Sequence, residues 1–529
     1  MTRETEVTIV GGGVIGLATA RELSKYKVDI TLVEKEPDVG WGTTKCTTSQ
    51  DLTFDAAYFF QGLGAIEGFK DMAFGPPGEP NLVGWERKTD PHVDLRGRIM
   101  GRSVGTMEKL CKELDVPYVS CGNIWVCKNK YDYYLLDKGI QHAKKYGYNN
   151  GNKIIDKKTL LELEPNINPD RVIGGLYSPE AGCFQVFRLC SALAENARQN
   201  GVNILTDSEV KAIERERGGS FILHTAKGDI RTRFVVNAAG LDGWKIAAMV
   251  KANNFSTFTI KIQFCILDKK VRNIVKHHVL ARGKYNFQIV NIGATADEDA
   301  SVLLGHAAFF GSKRWDHRIT EREFMERIFI PARELYPMIS EKDVIRTVAG
   351  SLTFENPDSG DIGARIETAP NVPRFVNVVI AFPGSSACVA IAEVVREVLE
   401  QEGMPLVKNQ KFNPRSEGIT DFSKITDRER DAIIAKNPAY SHMVCRCETV
   451  PEGEIIEAIR RGATTVDGVK QRVRAGMGRC QGGFCGPRVL EILSRELHKP
   501  KEEILLNSKG SRVLYYKSKY LLKEGESDY

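Results

Sequence analysis

A glycine-rich turn near the N-terminus constrains the fold more than any other feature of this sequence. Gly11-Gly-Gly13-Val-Ile-Gly16 follows the short β-type run Val7–Val10 and opens the helical pattern Ile15–Lys25. A second β-type run, Val28–Val33, comes directly after that helix. A strand, a helix and a strand in so short a stretch predict a parallel βαβ unit.

The three glycines at this spacing predict a dinucleotide site. Gly11 permits the tight turn, Gly13 lets the backbone approach a pyrophosphate, and Gly16 lets the helix pack closely on the sheet. The helix N-terminus attracts phosphate, and Glu34, which ends the next strand, can accept hydrogen bonds from a ribose. A turn that merely connects strand to helix is the alternative. The predicted contacts of this unit are Gly11, Gly13, Val14, Ile15, Gly16, Glu34 and Lys35.

Composition and length exclude several classes of protein. With 42% hydrophobic and 27% charged residues over 529 positions, the chain is neither disordered nor fibrous. A net charge of +6, with no basic stripe interleaved with aromatic residues, argues against nucleic acid as a partner. The polar start and the lack of a long apolar run predict neither a secretory signal nor a membrane span. We therefore expect a cytoplasmic protein with reduced thiols.

Four further segments, taken in order along the chain, resemble a known family. They are Thr43-Thr-Lys-Cys-Thr-Thr48, Asp207-Ser-Glu-Val210, Asn237-Ala-Ala-Gly240 and Pro383-Gly-Ser-Ser386. Over about residues 5–405 the chain resembles FAD-dependent oxidoreductases of the D-amino-acid oxidase superfamily, in the glycerol-3-phosphate and 2-hydroxyglutarate dehydrogenase branch. The resemblance implies that FAD is the dinucleotide. It also implies flavin contacts at Thr43, Thr44, Thr47, Val210, Ala238, Gly240, Gly384, Ser385, Ser386 and Ala387.

The expected fold class is an α/β FAD-binding domain of Rossmann type with an interleaved α+β substrate domain. Alternating β-type segments over 255–310 predict an antiparallel sheet for the substrate domain. The expected FAD-dependent oxidoreductase occupies 1–410, with FAD-binding segments near 1–56, 155–245 and 345–405 and a substrate domain near 57–154 and 246–344. A polar linker over 411–440 and a small, mostly helical domain with a tail over 441–529 complete the prediction.

Four of the twelve cysteines cluster near the C-terminus with the spacing Cys445-x-Cys447-x32-Cys480-x4-Cys485. Four thiolates suit either Zn²⁺ or a [2Fe–2S] cluster. Zinc ribbons use pairs spaced C-x2-C, so this spacing favours the cluster. Cys480-Gln-Gly-Gly-Phe-Cys485 resembles the signature of bacterioferritin-associated-ferredoxin-like [2Fe–2S] domains. The other eight cysteines are expected to be ordinary thiols, and His277-His278 lacks the spacing of a metal site.

Two cofactors in one chain predict an electron pathway. A flavin accepts two electrons and a [2Fe–2S] centre carries one at a time, which indicates a dehydrogenase that passes electrons to an external acceptor. The substrate would be a 2-hydroxy acid, a polyol phosphate or an amino acid. The acceptor would be a quinone, a ferredoxin-like carrier or a partner subunit. Peripheral membrane association and assembly into an oligomer or a multi-subunit complex are further expectations.

The substrate end departs from the family pattern at two places. The stretch Ser49–Asp55 lacks the His-x-Gly of the resembled dehydrogenases, and Leu352 stands where they carry a substrate-binding arginine. These departures leave a second hypothesis open, an FAD and [2Fe–2S] electron-transfer or scaffold subunit that oxidises no substrate itself. Arg365 as an anion clamp and His306 as a proton acceptor are the predicted catalytic residues. Lys261 is a further candidate for the pocket.

Overall fold

The N-terminal βαβ unit forms as the glycine pattern predicts. The computed structural model describes residues 2–46, 50–51, 91–144, 151–282, 289–296, 303–309, 322–355, 364–380 and 383–515. The chain folds into two units. The first comprises Met1–Val33, Gly40–Leu205 and Val210–Ser416, and the second comprises Glu34–Val39, Thr206–Glu209 and Glu417–Tyr529.

The strands of the first unit, in chain order, are β1 (Arg3–Val10), β2 (Ile30–Val33), β3 (Gln50–Asp51), β4 (Tyr118–Val119), β5 (Asn123–Cys127), β6 (Lys153–Asp156), β7 (Gly174–Ser178), β8 (Gly182–Phe184), β9 (Asn203–Leu205), β10 (Val210–Arg215), β11 (Phe221–Thr225), β12 (Gly228–Asn237), β13 (Thr257–Leu267), β14 (His278–Arg282), β15 (Ile289–Gly293), β16 (Leu303–Phe309), β17 (Val344–Glu355), β18 (Arg365–Ala369) and β19 (Val372–Val379). Its helices are α1 (Val14–Leu23), α2 (Pro91–Ser103), α3 (Thr106–Glu113), α4 (Lys130–Lys144), α5 (Lys157–Leu163), α6 (Val186–Gln199), α7 (Gly243–Ala248), α8 (Arg322–Leu335) and α9 (Cys388–Gln401).

A mixed sheet carries the glycine-rich turn. Its strands run in the order β10-β11-β12-β1-β2-β9, and β19 lies beside β12 with β18 at its other edge. The strands β9, β2, β1, β12 and β19 pair in parallel, while β10, β11 and β18 pair antiparallel. Helices α6 and α9 both pack against α1. The carboxyl ends of β1, β12 and β19 therefore lie at one edge of the sheet, where dinucleotides bind in open α/β folds.

A second sheet builds the interleaved part of the first unit. Its strand order is β17-β13-β16-β15-β14-β5-β7-β6, and every pairing is antiparallel except that of β14 with β5. Its apolar core includes Ile292 together with Phe329, Leu335 and Tyr336 from α8 and the turn after it. The predicted fold class, an α/β FAD-binding sheet with an interleaved antiparallel sheet, is confirmed. A small third sheet joins β3, β8 and β4.

The observed division differs in detail from the predicted one. Strand β7, the second half of β6 and nearly all of β17 lie in segments assigned above to FAD binding, yet they pair in the second sheet. The chain joins the first sheet again only at β9. Strand pairing decides this placement, and single-sequence patterns do not specify which strands pair. Most of the predicted loop segment 57–95 lies outside the described residues.

The second unit is mostly helical, as predicted. Its elements are α10 (Asp427–Lys436), β20 (Met443–Cys445), β21 (Val450–Pro451), α11 (Glu452–Arg460), α12 (Val466–Val473) and α13 (Gly486–Leu497). Pro487 occupies the first turn of α13, where its missing N–H costs no hydrogen bond. The predicted linker is partly ordered structure, because Thr426 and Glu429 form a capping box that starts α10. Among the described residues, no helix combines the length and the apolar character that crossing a bilayer requires.

Two buried asparagines tie β12 to β19 at the edge that carries the turn. Asn237 Nδ2 donates to Asn377 Oδ1 at 2.9 Å and to the carbonyl of Gly243 at 2.7 Å. Asn377 Nδ2 in turn donates to the carbonyl of Ala252 at 2.9 Å. Both side chains are buried. If one of these hydrogen bonds is lost, water cannot replace the missing partner, and a buried polar group stays unsatisfied.

We expect Asn377→Ala to lower the free energy of unfolding by about 2–4 kcal/mol, because it removes a donor and an acceptor from this buried chain. Asn371→Ala is the control. That exposed side chain makes one bond, to the carbonyl of Lys251, and its removal should cost less than about 1 kcal/mol. Urea unfolding of the full chain, followed by circular dichroism, measures both. Equal shifts in the two variants would contradict the assignment.

Candidate functional site

The glycine-rich turn leaves no room for side chains. Gly11 has a φ of +110°, and a Cβ there would lie 2.5 Å from the carbonyl oxygen of Ala238. A Cβ at Gly16 would overlap the carbonyl of Gly11. Gly13 directly precedes α1. Because glycine has no side chain, no side chain of this residue caps the helix N-terminus. These are the close approaches that the sequence pattern predicts for a pyrophosphate cradle.

The threonine segment lies against this helix N-terminus. The backbone N–H of Val14 donates to Thr44 Oγ1 at 3.2 Å, and Thr44 is buried. Thr43 Oγ1 donates to the carbonyl of Ser351 on β17 at 2.6 Å. The segment therefore connects α1 to the second sheet. The predicted contact Thr47 lies outside the described residues.

Two other predicted contacts lie at the ends of strands. The N–H of Ala238 donates to the carbonyl of Val10 at 3.0 Å, which holds the end of β12 beside the glycine turn. Gly240 has a φ of +56°, a conformation that favours glycine, and starts a short 3₁₀ turn. The first sheet thus brings Ala238 and Gly11 together, although the sequence separates them widely.

Other predicted contacts occupy separate places. Glu34 directly follows β2 and is buried, and its Oε1 accepts the N–H of Glu36 at 2.9 Å. Lys35 is exposed. Val210 is buried at the start of β10. Their roles toward a flavin stay predictions.

The last predicted flavin segment forms the turn before α9. The N–H of Ala387 donates to the carbonyl of Pro383 at 2.9 Å, so the backbone turns tightly over Gly384, Ser385 and Ser386. Ser386 and Ala387 are buried, and α9 begins at Cys388. A tight turn ahead of a helix N-terminus presents backbone N–H groups, and the role of this segment toward a flavin stays a prediction.

These residues fit an FAD. The excluded Cβ positions at Gly11 and Gly16 make space for a close backbone approach. No acidic residue occupies the first turn of α1, so nothing there repels a phosphate.

The four clustered cysteines converge in the second unit. Cys445 Sγ and Cys447 Sγ lie 3.8 Å apart. Hydrogen bonds between thiols also join Cys445 to Cys485 and Cys447 to Cys480. Cys445 and Cys485 are buried, whereas Cys447 and Cys480 are exposed. Four converging sulfurs are the donor set of a [2Fe–2S] cluster.

Backbone N–H groups point at these sulfurs. Hydrogen bonds from the N–H groups of Phe484 and Gly482 help to lower the pKa of Cys480, with that of Phe484 the largest cause. A hydrogen bond from the Cys445 thiol lowers the pKa of Cys485. Both effects favour the thiolate, the form that binds iron, in these two ligands. In contrast, the hydrogen bond with Cys485 raises the pKa of Cys445, and burial raises that of Cys447. Gly478 is required beside them, because a Cβ there would lie 2.6 Å from Cys447 Sγ.

The basic residues near the cysteines have acidic partners. The sequence counts six basic residues against one acid over 461–488. In the structure, Arg474 pairs with the buried Glu448 at 2.7 Å, and Arg488 pairs with Glu452 at 3.2 Å. Arg472 donates two hydrogen bonds to the buried Asp38 of the same unit, at 2.5 and 2.9 Å. Much of the local positive charge is therefore balanced by carboxylates outside that stretch.

The predicted catalytic residues lie on two different sheets. Arg365, on β18, donates to Glu355 and to Glu367, and its guanidinium lies 5.5 Å from the ring centre of Phe255. His306 lies on β16, in register with Gln263 of β13. The structure thus does not bring Arg365 and His306 onto one strand pair, and their catalytic roles stay predictions.

Sequence reasoning named Lys261 as a pocket candidate but not its neighbour on the next strand, and it missed one group of possible ligands. Lys261 of β13 is in register with Ser351, the residue whose carbonyl binds Thr43. Cys121, Cys183 and His278 come together although no spacing rule connects them. Neither feature has a local signal, since both depend on strand pairing.

Comparisons with known proteins match a family model to each part of the chain. The family model of the FAD dependent oxidoreductase matches residues 6–397, and that of the BFD-like [2Fe-2S] binding domain matches 443–495. A glycerol 3-phosphate dehydrogenase of Caloramator mitchellensis is 34% identical over 96% of this chain and 98% of its own length. Subunit A1 of an anaerobic glycerol-3-phosphate dehydrogenase of Haloferax volcanii is 22% identical over 94% of this chain and 84% of its own length.

The solved structure of L-alpha-glycerophosphate oxidase from Mycoplasma pneumoniae, with FAD bound, shares the fold. It superposes with a TM-score of 0.66 at 22% identity, covering 79% of this chain and 99% of that one. The chain belongs to the FAD-dependent oxidoreductase family and carries a C-terminal BFD-like [2Fe–2S] domain, so that its cofactors are FAD and a [2Fe–2S] cluster.

Proposed function

We propose that this flavoprotein is a dehydrogenase of glycerol 3-phosphate that delivers electrons to an acidic protein acceptor. The substrate assignment is supported by the 34% identity to a glycerol 3-phosphate dehydrogenase, which extends over both domains. When bound, FAD takes up the two electrons of the oxidation and the [2Fe–2S] cluster passes electrons on one at a time. The chain itself must bind the substrate, accept a proton and present a surface to the acceptor.

Lys261 is our candidate for the substrate anion. Leu352 stands where the resembled dehydrogenases carry a substrate-binding arginine. Another cation would therefore have to bind the substrate anion in this chain. Lys261 is in register with Ser351, next to Leu352 on β17, and Ser351 in turn contacts Thr43. A lysine at this position would lie near the threonine segment. A point charge of this kind suits a phosphate group.

His306 is the proposed proton acceptor. Its partner in register, Gln263, lies two residues from Lys261 on β13, so the two candidates occupy neighbouring positions of the same sheet. Histidine exchanges protons near neutral pH, as the oxidation of an alcohol requires. Arg365 remains a candidate of lower rank, because its guanidinium already holds Glu355 and Glu367.

The acceptor would meet the exposed side of the cysteine site. Cys447 and Cys480 are exposed, and so are the neighbouring Arg446 and Arg479. Phe484 is 57% exposed, and the guanidinium of Arg446 lies 4.7 Å from its ring centre. An exposed aromatic ring beside arginines is typical of a protein interface. Its positive charge favours an acidic protein over a neutral quinone.

A subunit that carries electrons without oxidising a substrate is the second candidate. Leu352 in place of an arginine is the observation that favours it. Under this alternative, flavin reduction needs a partner protein.

Mixing the FAD-loaded protein anaerobically with glycerol 3-phosphate should bleach the flavin absorbance. The same panel includes 2-hydroxyglutarate, glycerol and proline, which lack the phosphate. In Lys261→Met we expect the KM for glycerol 3-phosphate to rise about 10–100-fold, the loss expected for one charge-assisted hydrogen bond.

Lys227→Met is the matched control, because Lys227 is exposed at the turn between β11 and β12. If another member of the panel bleaches the flavin and glycerol 3-phosphate does not, that compound would take the place of glycerol 3-phosphate as the proposed substrate. No bleaching by any member, with normal reduction by a partner protein, would establish the carrier alternative.

Cys480→Ser should lose iron and sulfide while it retains FAD, because the flavin segments of the first unit do not depend on this thiol. The unchanged protein should hold about two irons and two sulfides per chain. Cys265→Ser, which changes a buried thiol on β13, should keep both cofactors. Colorimetric iron and sulfide assays measure the outcome. Full iron content in Cys480→Ser would refute the ligand assignment.

The double variant Arg446→Glu/Arg479→Glu should slow reduction of an acidic ferredoxin at least tenfold at low salt, because charge reversal removes electrostatic steering. The difference should shrink at high salt. Reduction of a soluble quinone analogue should not change. Arg460→Glu, an exposed charge at the end of α11, is the control. An equal loss with ferredoxin and quinone would contradict a docking role.

A further inference from the structure

A second cluster of soft metal ligands lies in the first unit, apart from the four cysteines already described. One ligand atom each from Cys121, Cys183 and His278 lies within 4.8 Å of the other two. Cys183 and His278 are buried, and Cys121 is partly exposed. The three residues come from the loop after β4, from β8 and from the first position of β14.

Backbone hydrogen bonds hold these three segments together. The N–H of Gly122 donates to the carbonyl of Ala181 at 2.8 Å, and the N–H of His278 donates to the carbonyl of Gly122 at 3.1 Å. Cys183 is in register with Val119 of β4. Gly122 has a φ of +69°, a conformation that glycine adopts more readily than other residues. Both hydrogen bonds depend on this turn. The side chains thus converge from positions that the backbone fixes.

The structure also makes room for the imidazole. A Cβ at Gly293 of β15 would overlap the ring of His278, so a glycine is required where the ring packs. In contrast to the four cysteines of the second unit, this group mixes sulfur and nitrogen. Two sulfurs and one imidazole are ligands that Zn²⁺ prefers, and that hard cations such as Mg²⁺ do not.

The charge balance favours a divalent cation. Two thiolates and a neutral imidazole carry two negative charges, which one Zn²⁺ neutralises. Burying the ion with its ligands is therefore far less costly than burying a lone thiolate.

We propose that Cys121, Cys183 and His278 bind one zinc ion, with water as the fourth ligand of a tetrahedral site. The ion would connect the loop after β4 to β8 and β14, which are remote from one another in the sequence. Binding exchanges the thiol protons of the two cysteines for the metal and needs no oxidant. This site is independent of the proposed substrate and acceptor.

Metal analysis of the full-length protein, loaded with FAD and the cluster, tests the site. After incubation with zinc chloride and removal of excess metal, we expect one zinc per chain in addition to about two irons. Cys121→Ser should lose the zinc but retain FAD and iron. Cys127→Ser, which changes a buried thiol on β5 outside the cluster, should retain all three.

A second variant covers the case in which loss of a ligand disturbs folding. Gly293→Ala keeps all three ligands but displaces the imidazole, and it should weaken zinc binding at least tenfold in a competition titration with a chelator. With Co²⁺ in place of zinc, the unchanged protein should show the intense absorption of thiolate-bound tetrahedral cobalt, and Cys121→Ser should not.

Three results would overturn the proposal. The first is the absence of bound zinc in the unchanged protein. The second is zinc that persists in Cys121→Ser but disappears in Cys480→Ser, which would assign it to the other four cysteines. The third is a Cys121–Cys183 disulfide found by mass spectrometry in protein purified without air, which would make the pair a redox couple.

Discussion

The close approach of three backbone segments at the glycine-rich turn is the constraint on which the first unit depends. Gly11 lies against the carbonyl of Ala238, and Gly16 lies against Gly11, with no space for a Cβ at either glycine. This contact fixes α1 over the sheet and brings the ends of β1 and β12 to one point. The threonine segment then binds the same helix end through Thr44.

What the sequence could predict is local. The glycine turn and the C-terminal cysteines each satisfy a geometric requirement within a short stretch, so a single sequence reveals them. Gly478 shows the same principle, because the sulfur of Cys447 leaves it no room for a side chain. The start of α13 at Gly486 could also be predicted to within one residue, since Pro487 fits only the first turn of a helix.

What the sequence could not predict depends on pairing between distant segments. The assignment of β6 and β7 to the second sheet follows from strand order, which no local pattern encodes. The acidic partners of the basic residues near the cysteines show the same limit. Asp38, far from Arg472 in the sequence, neutralises a charge that a count over residues 461–488 leaves unpaired. Counting charges within one stretch of sequence therefore overstates the net positive charge near the cysteines.

The site of the four cysteines has one buried side and one exposed side. Cys445 and Cys485 belong to the apolar core of the second unit, whereas Cys447 and Cys480 are exposed. Electron transfer to a protein requires a short distance between redox centres, which only an exposed side of the site allows. The buried pair faces away from water, and the exposed pair is the side that the proposed acceptor would meet. The exposed Phe484 lies next to Cys485 in the chain, so the proposed contact surface and the ligands belong to the same loop.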